Sequence, residues 1–155
     1  MSSFLRLSAR TFLAIQRWRR GMTLGVRAIC MDEDQRVFLV KHTYTPGWYL
    51  PGGGVEAGET LHQALEKELR EEGNITLSEP GELFGVYQNR NASPRDHVAL
   101  FVCSFWQQAA PPVVPNREIA AVGFFNVREL PEDATAATRR RLDEVLNAAE
   151  RSAIW

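Results

Sequence analysis

Three carboxylates stand at helical spacing in the run PGGGVEAGETLHQALEKELREEGNI at residues 51–75: Glu68, Glu71 and Glu72. Positions i, i+3 and i+4 lie on one side of a helix, so their oxygens can converge on one hard cation such as Mg²⁺. The apolar residues Leu61, Ala64, Leu65 and Leu69 form a stripe at about 100° per residue. Glu68 and Glu72 fall inside that stripe and Glu71 at its edge, whereas Glu59, Glu66 and Arg70 are expected to point to solvent. A carboxylate on an inward face is costly without a partner, and a cation supplies one.

The neighbouring residues specify the helix that must hold these groups. Thr60 as N-cap and Gln63 at the third helical position make a capping box. The helix is expected over residues 61–72, and Gly73 with Asn74 tolerates the left-handed stop. Ahead of it, Gly52, Gly53 and Gly54 allow close backbone approach, and a carbonyl of that loop offers a further ligand.

Residues 53–75 resemble the Nudix box. Its pattern is Gly, five residues, Glu, seven residues, Arg-Glu, an aliphatic, any residue, Glu-Glu, any residue, Gly, an aliphatic. Here the positions read Gly53, Glu59, Lys67-Glu68, Leu69, Glu71-Glu72, Asn74, Ile75. Two depart from the pattern. Asn74 replaces the last glycine, a mild change because Asn enters the left-handed region readily. Lys67 replaces the arginine that in the family orients a metal-binding glutamate. Lysine keeps the charge but acts as a point rather than a fork, and at i+4 it can reach Glu71.

The resemblance implies an α/β fold, a Nudix-type α/β/α sandwich with a mixed sheet. It also implies a Mg²⁺-dependent hydrolase, with Mn²⁺ as the alternative ion, that cleaves the diphosphate bond of a nucleoside diphosphate linked to another moiety. The implied metal ligands are Gly53, Glu68, Glu71 and Glu72, with Glu59 orienting them and Glu56 assisting. Bound divalent ions neutralise a pyrophosphate and acidify a water. The base that takes the water's proton is Glu68, Glu71 or, from outside the box, Glu118. A second function from a different class stays open because of Lys67: a catalytically weak nucleotide-binding or sensor module.

The whole-chain properties set the frame. A length of 155 residues suits one domain, and 45% hydrophobic with 24% charged content reads as globular. A net charge of −1 supplies no field that would gather nucleic acid, so the expected partner is a small nucleotide-type substrate. Cys30 and Cys103 lie in apolar runs and read as reduced core residues. No apolar run approaches the length of a membrane helix, and a cytoplasmic location is expected. Residues 21–155 read as the single domain. Residues 1–20 read as a basic amphipathic arm, with Arg6, Arg10, Arg17, Arg19 and Arg20 and no acid before Asp32. The arm is expected to dock on its own domain or on a second copy in a homodimer. A membrane surface and an organelle transit peptide are the other readings.

Strands are expected over residues 22–31, 36–41, 82–88, 97–106 and 121–127. On the first, Arg27 shares a face with Thr23 and Gly25. It is either an edge ion pair or an anion contact for substrate. Residues 42–47 form a loop in which Tyr44 could meet a base, as could Trp48 just beyond; His42 reads as structural. The loop at 89–96 carries Arg90 and Arg95, which read as solvated. A Pro-rich linker spans residues 107–116, and the last helix is expected over 135–150 with Leu142, Val145, Leu146 and Ala149 inward. Arg27, Tyr44, Gly53 and Gly54 are therefore the candidate substrate contacts.

Overall fold

The structure is a computed structural model that describes residues 21–155. The basic arm at 1–20 lies outside the described residues. Seven strands and two helices follow in order: β1 (Thr23–Cys30), β2 (Arg36–His42), α1 (Leu61–Gly73), β3 (Ile75–Leu77), β4 (Glu82–Gln88), β5 (Asp96–Cys103), β6 (Trp106–Gln108), β7 (Ile119–Asn126) and α2 (Ala136–Leu146). β5 is the central strand of a mixed sheet, parallel to β1 on one side and antiparallel to β4 on the other. β2 pairs antiparallel with β7, and β3 with β6.

Strand alternation divides the core in two. Val26, Ala28 and Cys30 of β1 side with Phe38, Val40, Ala99 and Phe101 against Ala64, Leu65 and Leu69 of α1. The intervening residues Ile29, Val37, Leu39 and Leu100 side with Tyr87 against Leu142 of α2. Each helix thus covers one face of the strands, which makes the expected α/β/α sandwich and explains why β2 is apolar on both faces. Cys30 and Cys103 are buried, unpaired by disulfide and opposite each other in the β1–β5 register.

The strand reading is corrected around β5 and β3. The strand expected over 97–106 ends at Cys103, and Trp106 begins the short β6. The apolar run continues through the break, but Phe105 there is exposed, while the Trp106 ring stacks on Phe124 at 5.5 Å. β3 is three residues long and too short to carry a period of its own.

The last helix is also corrected. It stops at Leu146, and Leu146 is exposed while Arg141 and Glu144 are buried. Arg141 donates from Nη2 to Glu144 Oε1 (2.6 Å) and from Nη1 to the Ile154 carbonyl (2.9 Å), with its guanidinium 4.1 Å over the Tyr87 ring. Glu144 accepts from the Tyr87 hydroxyl at 2.8 Å and from the Ser152 N–H at 2.9 Å. Burial and the bond to Glu144 push the Tyr87 phenol up to about 12. The segment after α2 is held against β4: Gln88 N–H donates to Ala153 O (2.9 Å) and Trp155 N–H to Gln88 O (3.0 Å). Charged residues at helical spacing ordinarily read as a solvated face; here a return of the chain covers them.

Candidate active site

α1 is placed by its ends. Thr60 Oγ1 accepts the Gln63 N–H (3.2 Å) and Gln63 Oε1 accepts the Thr60 N–H (2.9 Å), so both halves of the capping box form. At the other end Asn74 takes φ 51° and donates its N–H to the Arg70 carbonyl at 3.0 Å. Gly73 sits against the Phe38 ring, where a Cβ would come within 2.8 Å. The glycine needed for close packing is therefore 73, and the left-handed position at 74 accepts Asn.

The glycine loop is locked onto β1. Val26 N–H donates to Gly53 O (2.9 Å) and Ala28 N–H to Pro51 O (3.0 Å). Gly52 has φ +138°, and a Cβ there would lie 2.0 Å from the Val26 carbonyl oxygen. Its N–H donates to Glu72 Oε2 at 2.7 Å. Gly53 lies under Glu68, whose carboxyl carbon would be 2.6 Å from an added Cβ. The two glycines thus bring Glu68 and Glu72 down onto the loop. Gly53→Ala is expected to leave the melting temperature within a few degrees, because the flexible Glu68 tip can give way, but to lower turnover at least about tenfold, or 1.4 kcal/mol in the barrier. Melting curves beside steady-state kinetics check this.

A cleft of about 450 Å³ opens above the loop. Arg27, His42, Glu68, Glu72 and Glu118 line it, and so does Tyr44, which is exposed. A smaller hollow of about 230 Å³ shares three of these carboxylates, and there Glu71 and Arg117 join Glu68, Glu72 and Glu118. A larger hollow, about 880 Å³, lies between α2 and the turn after β7 and holds none of these groups. The box carboxylates therefore line the 450 Å³ cleft and its 230 Å³ neighbour, not the largest of the three hollows.

Electrostatics single out Glu72. Burial pushes its carboxyl up to about 7, with the charges of Glu68 and Glu118 adding to the effect and Arg27 and the Gly52 N–H opposing it. Burial likewise raises Glu68, against the pull of Lys67. His42 is held below its ordinary range by burial and by Arg27, and its Nε2 lies 3.8 Å from Glu72 Oε1. Arg27 spends one N–H on the Leu50 carbonyl (2.8 Å). It lines the cleft beside Glu68 and Glu72.

Lys67 is corrected. Its ammonium does not take Glu71 but grips both oxygens of Glu59, at 3.0 and 3.2 Å, and lies 4.0 Å from Glu68 Oε1. Glu59 is half-buried by that contact rather than turned to solvent, and its Oε2 also accepts the Glu56 N–H at 2.9 Å. Among the described residues no three carboxyl, imidazole or thiol groups are drawn into a formed metal cage. The donor set nevertheless suits a hard cation. Glu68 and Glu72 are all-oxygen donors whose negative charge is costly where they stand, and a divalent ion is what relieves that cost. The Gly53 carbonyl keeps one lone pair beside its bond to Val26.

The fold places several other candidates. Glu118, just ahead of β7, joins the box glutamates in both hollows. Gly54 and Tyr44 line the cleft. Trp48 does not: its ring meets Phe125 at 4.7 Å on the α2 side. Arg90 donates to Gln88 Oε1 (3.0 Å) and, like Arg95, stays outside the cleft. The sequence reading took His42 as structural and did not single out Asn89 and Asp96; all three line the cleft. Only the pairing of β1 with β5 brings Asp96 to it, and no local pattern signals that.

The NUDIX domain model matches residues 21–146. The chain belongs to the Nudix family. It is 29% identical over 128 residues to a putative 8-oxo-dGTP diphosphatase of Bacillus subtilis, covering 83% of each chain. It is 36% identical over 75 residues to an ADP-ribose pyrophosphatase of Methanocaldococcus jannaschii, covering 46% of this chain and 44% of that one. Among solved structures it superposes on a MutT Nudix hydrolase from Burkholderia pseudomallei with a TM-score of 0.68 at 28% identity, covering 79% of this chain and 97% of that one. Within this Nudix domain the departures at Lys67 and Asn74 both leave the local geometry formed. No helix among the described residues is long and apolar enough to cross a membrane.

Proposed function

We propose that the protein is a Mg²⁺-dependent Nudix pyrophosphohydrolase that cleaves the diphosphate bond of a nucleoside diphosphate derivative. The observation that carries this is the seating of buried Glu72 and half-buried Glu68 over Gly52 and Gly53, with Glu118 lining the same cleft. Glu68, Glu71, Glu72 and the Gly53 carbonyl would hold the cation, which when bound neutralises the diphosphate and acidifies a water. Arg27 offers its remaining N–H groups to a phosphate oxygen. Lys67 fixes Glu59 and biases Glu68, a role that needs a charge but not a fork. Glu118 is exposed to water and stands outside the helix that carries the ligands, which suits it to accept the proton of the attacking water. Glu68 and Glu71 are the other bases to be compared with it.

The relatives' names widen the choice of substrate: an oxidised nucleoside triphosphate in one case and ADP-ribose in another. The test is a panel of nucleoside triphosphates, nucleotide sugars, ADP-ribose, dinucleoside polyphosphates and a 5′-triphosphorylated oligonucleotide, with Mg²⁺, with Mn²⁺ and with chelator. We expect turnover of at least one compound, lost on chelation and reduced at least about a hundredfold by Glu71→Gln. Tight binding of a nucleotide that stays uncleaved with Mg²⁺ would point instead to the sensor module. Full turnover by Glu71→Gln would remove that residue from the site.

A further inference from the structure

The far end of the cleft is a built polar pocket that the proposed hydrolysis does not use. Thr23 opens β1 directly opposite Asp96, which opens β5. The Asp96 carboxylate accepts the Thr23 hydroxyl on Oδ1 (2.5 Å) and the Asn89 side-chain amide on Oδ2 (2.8 Å). The Asn89 N–H donates to the Asp96 carbonyl at 2.8 Å and closes the base of the 89–96 loop. Both carboxylate oxygens are thus held in one orientation, and each keeps a second lone pair. The adjoining residue Gln88 is itself tied to the chain end at Trp155 and to Pro94 O, at 3.0 Å each.

The two ends of the cleft are joined by one face of β1. Thr23, Gly25 and Arg27 alternate onto it, and at about 3.3 Å per residue four residues span roughly 13 Å. Between the ends β1 adds no side chain, because Gly25 stands there with the Gly53 carbonyl 3.2 Å from where a Cβ would be, and its register partner Val98 of β5 lines the cleft beside it. A diphosphate at Arg27 and the glutamates therefore leaves the rest of a nucleotide lying along Gly25 toward Asp96. A carboxylate at that position repels phosphate and accepts hydrogen-bond donors, so it also decides which end of an anionic substrate enters first.

We propose that Asp96, held by Thr23 and Asn89, is a specificity-determining residue that receives a pair of adjacent donors from the part of the substrate remote from the diphosphate. A ribose diol and the N–H/NH₂ edge of a guanine-type base both present that pair. The proposal rests on the pyrophosphohydrolase reading for the direction of the substrate. It predicts that Asp96→Asn hurts a ligand only while the donors are present.

The experiment is a cycle of wild type and Asp96→Asn against guanosine, inosine and 2′-deoxyguanosine diphosphates, in kcat/KM and in the affinities of their methylene-bridged analogues. We expect Asp96→Asn to cost at least about tenfold, or 1.4 kcal/mol, on the guanosine ligand. That loss should vanish on inosine if the base edge is read, or on the 2′-deoxy ligand if the diol is read. Thr23→Val, which frees one carboxylate oxygen, should give the same pattern at smaller size. An equal loss on all three ligands, the mark of a structural residue, would overturn the proposal, and so would no loss on any. If the wild type cleaves nothing, the hydrolase reading fails by itself, and the cycle of analogue affinities still decides this one.

Discussion

Glu72→Gln is expected to stabilise the metal-free protein while removing its activity. The carboxyl of Glu72 is raised from 4.5 to about 7, chiefly by burial. A carboxylate raised in the folded state favours folding when protonated and costs stability once ionised. The cost is therefore absent below about pH 4.5, grows as pH rises through 7, and is complete by pH 8. A shift of that size corresponds to about 3 kcal/mol, the upper bound of the gain. In melting temperature this is up to roughly 6–12 °C at pH 8 in the presence of chelator. The glutamine oxygen can still accept the Gly52 N–H, so the loop is not broken. Mg²⁺ should raise the melting temperature of the wild type far more than that of the variant, and kcat/KM should fall at least about a hundredfold. A gain that is the same at pH 5 and pH 8 would show that the buried charge is not its source.

Arg141→Ala is expected to be the most damaging single change outside the cleft. The side chain is fully buried, and its removal leaves Glu144 as a buried carboxylate supported by Tyr87 and the Ser152 N–H alone. Breaking one member of such a pair costs about 3–5 kcal/mol, which lowers the melting temperature by roughly 6–20 °C. Replacing both members, Arg141→Met with Glu144→Leu, should recover most of the loss, because no charge is then left uncompensated. Thermal melts of the wild type, the single variant and the double variant separate these outcomes. A single variant within 1 kcal/mol of wild type would mean that water reaches Glu144 in its absence.

The two cases show where sequence reasoning reached and where it stopped. The acidic helix was legible because its signals are local: a capping pair three residues apart, a stop residue, and carboxylates out of phase with the apolar stripe. The same logic failed at α2. The inward face expected there left out Arg141 and Glu144, and what buries them is Tyr87, fifty-odd residues earlier, together with the returning residues 152–155. Lys67 failed for a related reason. Counting along a helix offered Glu71, but the loop ahead of the helix folds back and brings Glu59 closer. Asp96 and Asn89 lie far from Thr23 in the chain and meet it only through strand pairing.

The sequence alone determined an acidic helix with inward carboxylates behind a glycine loop, the strands' apolar faces and, by resemblance, the Nudix family, since each of these is written in spacings of a few residues. The tertiary structure alone decided that Glu118 joins the box glutamates, that Glu72 is the most buried of them, and that the cleft runs along β1 to Asp96. Those facts depend on which strands lie side by side, and that is settled by packing two core faces at once rather than by any one stretch of the chain.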